Sequence, residues 1–143
     1  MVKQILSVRN LLVFITLLNV SWENDMTGRI INNLIEVRQG DSYPINIQVK
    51  RRGKPVDLTG ATMLMQVRDE NNNVMFTLSG TAVDMINGRM DLLLSPTETS
   101  IPVGDYVTDI QVTGADGSVN TIFPANVNQI ATFRITEQVT QGV

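Results

Sequence analysis

The chain has 143 residues, 43% of them apolar and 17% charged, a formal net charge of −3, and neither histidine nor cysteine. That composition closes the common routes to chemistry: no Cys/His zinc site, disulfide framework, thiol nucleophile or imidazole base is available, so no metal, no cofactor and no enzymatic activity are expected. The acidic balance speaks against a general nucleic-acid binder, and the length supports one domain whose core stands without covalent staples.

Residues 1–29 differ in character from the rest of the chain. The stretch ILSVRNLLVFITLLNV, from Ile5 to Val20, is mainly apolar but interrupted by Arg9 and Asn10, and it passes into polar SWENDMTGR. A membrane-spanning helix needs ~20 predominantly apolar residues, and Arg9 with Asn10 would be costly at depth, so no membrane span is expected. A secretory signal would take Lys3 and Arg9 as its charged part and Leu11 to Val20 as its apolar part, yet no A-x-A-like site comes after it. The preferred expectation is an apolar arm, helical or extended, that packs on its own domain or on a neighbouring subunit. Its partner-binding candidates are Leu11, Leu12, Phe14, Ile15, Leu17 and Leu18. Translation from Met26 is a further alternative, and it would remove the arm.

From about Ile30 the periodicity becomes two, the signature of strands with one buried face. INIQVK sets Ile45, Ile47 and Val49 on one face, and ATMLMQV does the same with Ala61, Met63, Met65 and Val67. Further runs give Val74, Phe76 and Leu78; Met90, Leu92 and Leu94; Tyr106, Thr108, Ile110 and Val112; Val119, Thr121 and Phe123; and Ala131, Phe133 and Ile135. These make about seven strands within a domain spanning 30–138, with a short tail at 139–143. Asn71 to Asn73, Asn87-Gly88 and the GADG run at 114–117 supply residues that tolerate positive φ, so neighbouring strands are expected to pair antiparallel. Between Ser95 and Tyr106 the chain is too polar and too proline-rich for a strand. Ser95 as N-cap, Pro96 at the first helical position and Glu98 at the third predict one helical turn that bridges two strands. The sum is an all-β, antiparallel β-sandwich.

Candidate constellations weigh little against structural explanations. Asp69 to Asn73 places oxygen ligands at the first, third and fifth positions of a calcium loop, but Val74 and Gly80 occupy positions that need Gly and Glu, so a solvated hairpin tip is expected. Lys50, Arg51, Arg52 and Lys54 form a dense basic cluster around Gly53 without interleaved aromatics, as expected for a soluble loop that meets an acidic neighbour rather than nucleic acid. Asp84, Asp91, Asp105 and Asp109 are scattered, and with 5% aromatic residues a glycosidase cleft is not expected. Tyr106, after Gly104-Asp105, is placed either to tie a corner through its hydroxyl or simply to pack in the core. Methionines at inward strand positions, such as Met63, Met65 and Met90, are read as core filling.

In order, Gly40-Asp41, Gly53 with Pro55 to Thr62, Asn87-Gly88, Ser95 to Ser100, Gly104 to Ile110 and Asp116-Gly117 form a pattern that resembles the N-terminal immunoglobulin-like domain of phage baseplate upper proteins and related virion proteins. The resemblance covers about residues 36 to 137. It implies an immunoglobulin-like sandwich acting as a non-enzymatic attachment module in the phage particle, docking onto other virion structural proteins in multiple copies of a symmetric assembly. It transfers no catalytic residue. The apolar arm lies outside the resemblance and no fibre region follows Val143, which favours a small adaptor of the tail or baseplate. Two alternatives stay open: a capsid decoration or head-attached protein of the same fold, and an exported β-sandwich that binds a surface carbohydrate or protein.

Overall fold

The computed structural model describes residues 3–8, 11–16, 28–124 and 128–138. In chain order the strands are β1 (Lys3–Val8), β2 (Leu11–Thr16), β3 (Gly28–Ile31), β4 (Leu34–Arg38), β5 (Tyr43–Arg51), β6 (Lys54–Pro55), β7 (Thr62–Arg68), β8 (Val74–Ser79), β9 (Thr81–Asp84), β10 (Arg89–Leu94), β11 (Gly104–Thr113), β12 (Val119–Phe123) and β13 (Ala131–Thr136), with one helical turn, α1 (Pro96–Thr99). They form two sheets. Sheet A has the order β1-β2-β5-β10-β9 with β6 beside β5, and sheet B the order β3-β4-β13-β11-β7-β8 with β12 beside β11. Alternation explains the packing: Tyr43, Ile45, Ile47 and Val49 of sheet A and Met63, Met65, Val67, Ile110, Phe133 and Ile135 of sheet B are all buried in one core. Each such side chain contributes ~1.5 to 3 kcal/mol relative to exposure. The chain is therefore an all-β sandwich of two sheets.

The seven expected strands are all present, as β5, β7, β8, β10, β11, β12 and β13. Two expected core positions are not. Val74 is exposed because β8 is an edge strand whose register shifts beside Arg68, and Val119 is exposed because β12 shifts register at Ile110, burying the consecutive Ile122 and Phe123 instead. One pairing departs from the antiparallel rule: β4 runs parallel to β13, with Ile35 opposite Phe133 and Val37 opposite Ile135.

The turns do what their residues dictate. Ser95 caps α1, its Oγ accepting from Thr97 N while Glu98 Oε1 accepts from Ser95 N at 2.8 Å, so a capping box carries the chain from sheet A to sheet B. Asn87-Gly88 is not a two-residue hairpin. A single 3-10 turn at Met85–Asn87, capped by Asp84, delivers Gly88 in the left-handed region. Because α1 joins the end of β10 to the start of β11, the loops at 38–42, 69–73 and 95–103 share one end of the sandwich. The loops at 51–60, 85–88 and 114–118 share the other, where Leu58 N donates to Met85 O and Gly60 lies against Ala115.

Candidate functional site

Of the six partner-binding candidates, Leu11, Leu12, Phe14 and Ile15 lie in β2, while Leu17 and Leu18 lie outside the described residues. The expected arm is extended over 3–8 and 11–16, and β2 adds to β5 with Val13 opposite Val49 and Ile15 opposite Ile47, both core positions of β5. Leu12 and Phe14 stand opposite Lys50 and Gln48, which alternate with those core positions and so mark the outer face of sheet A.

The basic cluster closes the β5–β6 hairpin. Arg51 pairs with Lys54, and Arg52 (φ 53) with Gly53 (φ 80) forms a two-residue turn with both central residues at positive φ. Arg51, Arg52, Gly53 and Lys54 are all exposed, and the space beside Gly53 is open.

The aspartates do not assemble. Asp84 accepts from Asn87, Asp91 accepts from Asn46 Nδ2 at 2.8 Å, and Asp105 clamps Arg134 through Nε at 2.7 Å and a second bond at 3.1 Å. The hydrogen bond from Arg134 is also the main reason the Asp105 carboxyl lies below its usual range. Asp69 Oδ1 accepts from the backbone N–H groups of Asn71 and Asn73, so the supposed calcium ligands instead close their own hairpin tip. Among the described residues no cluster of acidic side chains fits a metal ion. Tyr106 ties a corner: its hydroxyl donates to Pro102 O at 2.6 Å.

A surface that sequence reasoning missed lies on the outer face of sheet B. Leu64, Gln66 and Arg68 of β7, Thr77 of β8, and Val107 and Asp109 of β11 line an open groove of about 570 Å³, overhung by Ile130. Its floor is polar and ordered: Arg68 donates to Gln66 Oε1 at 2.7 Å and to Asn72 Oδ1 at 3.0 Å. Burial pushes the Asp109 carboxyl above its ordinary range, partly offset by the Arg68 guanidinium. The signal available in the sequence was the apolar pair Leu64 and Val107 at positions where the alternation calls for polar residues; they are 44% and 40% exposed. The groove offers shape and one carboxylate, and no nucleophile paired with a base.

Among curated relatives the chain is 28% identical to protocadherin alpha-9 of Mus musculus over 98 residues, 68% of this chain and 9% of that protein. It is 27% identical to protocadherin alpha-10 of Pan troglodytes over 100 residues, 69% of this chain and 9% of that protein. The chain thus spans about 9% of the length of the curated relatives it matches. Among solved structures it is similar to CopC from Methylosinus trichosporium OB3b, with a TM-score of 0.44 and 13% identity over 75% of this chain and 87% of that one. It is also similar to murine CRIg, with a TM-score of 0.37 and 9% identity over 78% and 97%. The family model of the BppU N-terminal domain matches residues 17–123, starting ahead of the span that carries the turn motifs and ending at the last residue of β12. The match takes in both sheets and every strand from β3 to β12, and the chain belongs to the BppU N-terminal domain family, a family of phage baseplate structural proteins.

Proposed function

We propose that the chain is a non-enzymatic attachment module of the phage tail or baseplate, present in multiple copies of a symmetric assembly, that docks onto other virion proteins through sheet A. The observation that carries this is β2. It is apolar from Leu11 to Ile15 and is paired into a sheet, so successive positions fall on both faces. Strands apolar on both faces belong where both faces are covered. On this reading the face of β2 in register with Val49 and Ile47 turns to the sandwich, and the face in register with Lys50 and Gln48 meets the partner surface.

The same reading divides the chain into an apolar arm with a polar linker at 1–29, whose strands β1 and β2 add to sheet A, the remaining sandwich at 30–138, and a tail at 139–143. The test is incorporation into particles. A Leu12→Ser/Phe14→Ser protein that folds like wild type is expected to be absent from purified virions when it is the sole copy supplied. Incorporation at wild-type level, or density for the wild-type protein in which sheet A faces solvent, would overturn the proposal.

A further inference from the structure

The two ends of the sandwich carry opposite charge. At one end Arg51, Arg52 and Lys54 crown the β5–β6 hairpin, backed by Arg89 at the start of β10. The acidic residues nearby, Asp57, Asp84 and Asp116, are spent within their own turns on Thr59, Asn87 and Ser118. Among the described residues, Arg51, Arg52 and Lys54 make no ion pair.

At the other end the balance reverses. Glu70 on the β7–β8 tip and Glu137 after β13 are exposed, with Asp41 and Asp69 beside them. Of the cations there, Arg38 is exposed opposite Thr136, Arg68 is held by Gln66 and Asn72, and Arg134 is paired with Asp105 and lies 3.6 Å from Glu36, so Asp41, Asp69, Glu70, Glu98, Asp105 and Glu137 outnumber the three arginines.

The hairpin is also shaped for contact at a cost. A turn with two central positive-φ residues favours Asn-Gly, and an arginine in the left-handed region is disfavoured locally. Arg52 at φ 53 therefore retains a long cation where a smaller residue would close the same turn more easily.

We infer that the β5–β6 hairpin docks on the acidic end of a second copy of this chain, giving a head-to-tail contact between protomers. Such a contact is heterologous, so it closes into a ring or propagates as a stack according to the rotation between copies. Its strength depends on ionic strength, because exposed charges are screened within ~8 to 10 Å at ordinary salt. It uses residues other than those of β2, so either proposal can fail alone.

Sedimentation velocity of the full chain over rising salt tests it. Self-association is expected at low salt and its loss at high salt. An Arg51→Glu/Arg52→Asn/Lys54→Glu variant is expected to associate at least about tenfold more weakly while its urea midpoint stays near wild type. Mixed with wild type, the variant is expected to end assemblies rather than extend them, since the wild-type hairpin docks on its unchanged acidic end while its own reversed hairpin docks on neither. The Glu70→Lys/Glu137→Lys variant is likewise expected to self-associate weakly, and to pair with the hairpin variant and restore the complex. Wild type that stays monomeric at low salt, charge-reversed partners that fail to pair, or a hairpin that binds a DNA duplex in place of a second copy would each overturn the inference.

Discussion

Among the described glycines, Gly88 leaves the least room for a side chain. It sits in the left-handed region at φ 73, and a Cβ added there would lie 2.5 Å from Val49 O and 2.8 Å from Val56 O. Both contacts are backbone, so no side chain can swing aside. Val49 O accepts from Val56 N at 3.0 Å, and Val49 N donates to Gly88 O at 2.8 Å. Moving the strands apart to admit a methyl group strains both bonds, which contribute ~1 kcal/mol each, on top of ~1 to 2 kcal/mol for a non-glycine residue in the left-handed region. Gly88→Ala is therefore expected to cost about 3 to 4 kcal/mol, at the upper end of single substitutions. Gly117 is the control, since its φ is 85 and nothing lies within 4 Å of its added Cβ. Gly117→Ala should lose only the ~1 to 2 kcal/mol conformational part. Urea unfolding followed by far-ultraviolet circular dichroism gives both values. Equal losses in the two variants would refute the steric argument, because only one of them meets backbone.

The same geometry sets other outcomes. Ser95→Ala removes the cap of the turn that carries the chain between sheets and should cost ~1 kcal/mol in urea unfolding, with Glu98→Ala losing the reciprocal half of the box. Tyr106→Phe removes the hydrogen bond to Pro102 O while keeping the ring, for a loss of ~0.5 to 1.5 kcal/mol. Asp57, Asp69, Asp105 and Asp116 each hold a carboxyl below the ordinary 3.8, chiefly by side-chain hydrogen bonds from Thr59, Asn73, Arg134 and Ser118. Their contribution is thus complete at neutral pH and is lost as pH falls through 3.8 towards the lower folded values, so thermal midpoints should drop in that window. Asp109 has the opposite sign: burial favours its protonated form, so Asp109→Asn should raise the thermal midpoint at neutral pH and leave it unchanged once pH is below the unfolded value.

The fold was legible where a local rule sufficed. Period-two alternation located β5, β7, β10, β11 and β13 with their buried faces, and the Ser95, Pro96 and Glu98 spacing located α1 and its capping box. Legibility failed where the deciding partner is distant in sequence. The parallel pairing of β4 with β13 joins Leu34 to Thr132, and nothing near either residue announces it. The register shift that buries both Ile122 and Phe123 is a bulge in β12, which pairs Thr121 with Gln111 and Phe123 with Ile110 and leaves Ile122 between them, a tertiary choice that alternation cannot anticipate. Asn87-Gly88 carried the right conformational signal and the wrong turn, because Asp84 offers a capping carboxylate that converts the connection into a 3-10 turn. The groove on sheet B was invisible for a related reason. Its lining comes from β7, β8, β11 and the residue before β13, which become neighbours only after pairing.

What the chain can recognise is set by what its architecture leaves unspent. Asp57, Asp69, Asp84 and Asp116 are consumed in closing turns, Glu98 in a cap, and Asp105 in clamping Arg134 across β11 and β13. A carboxylate held this way is a poor base and a poor ligand, since its lone pairs are already directed at N–H and O–H groups. With neither histidine nor cysteine in the sequence, recognition falls to shape, apolar area and free charge. The surfaces proposed or described for contact are four: the outer positions of β2, the cationic hairpin at Arg51 to Lys54, the acidic end at Glu70 and Glu137, and the groove beside Asp109. They lie on the outer face of sheet A, the two ends of the sandwich and the outer face of sheet B, respectively. Were the proposed contacts made together, one module would be held by a partner and by its own copies at once, which is the geometric requirement for a component repeated around a symmetric particle.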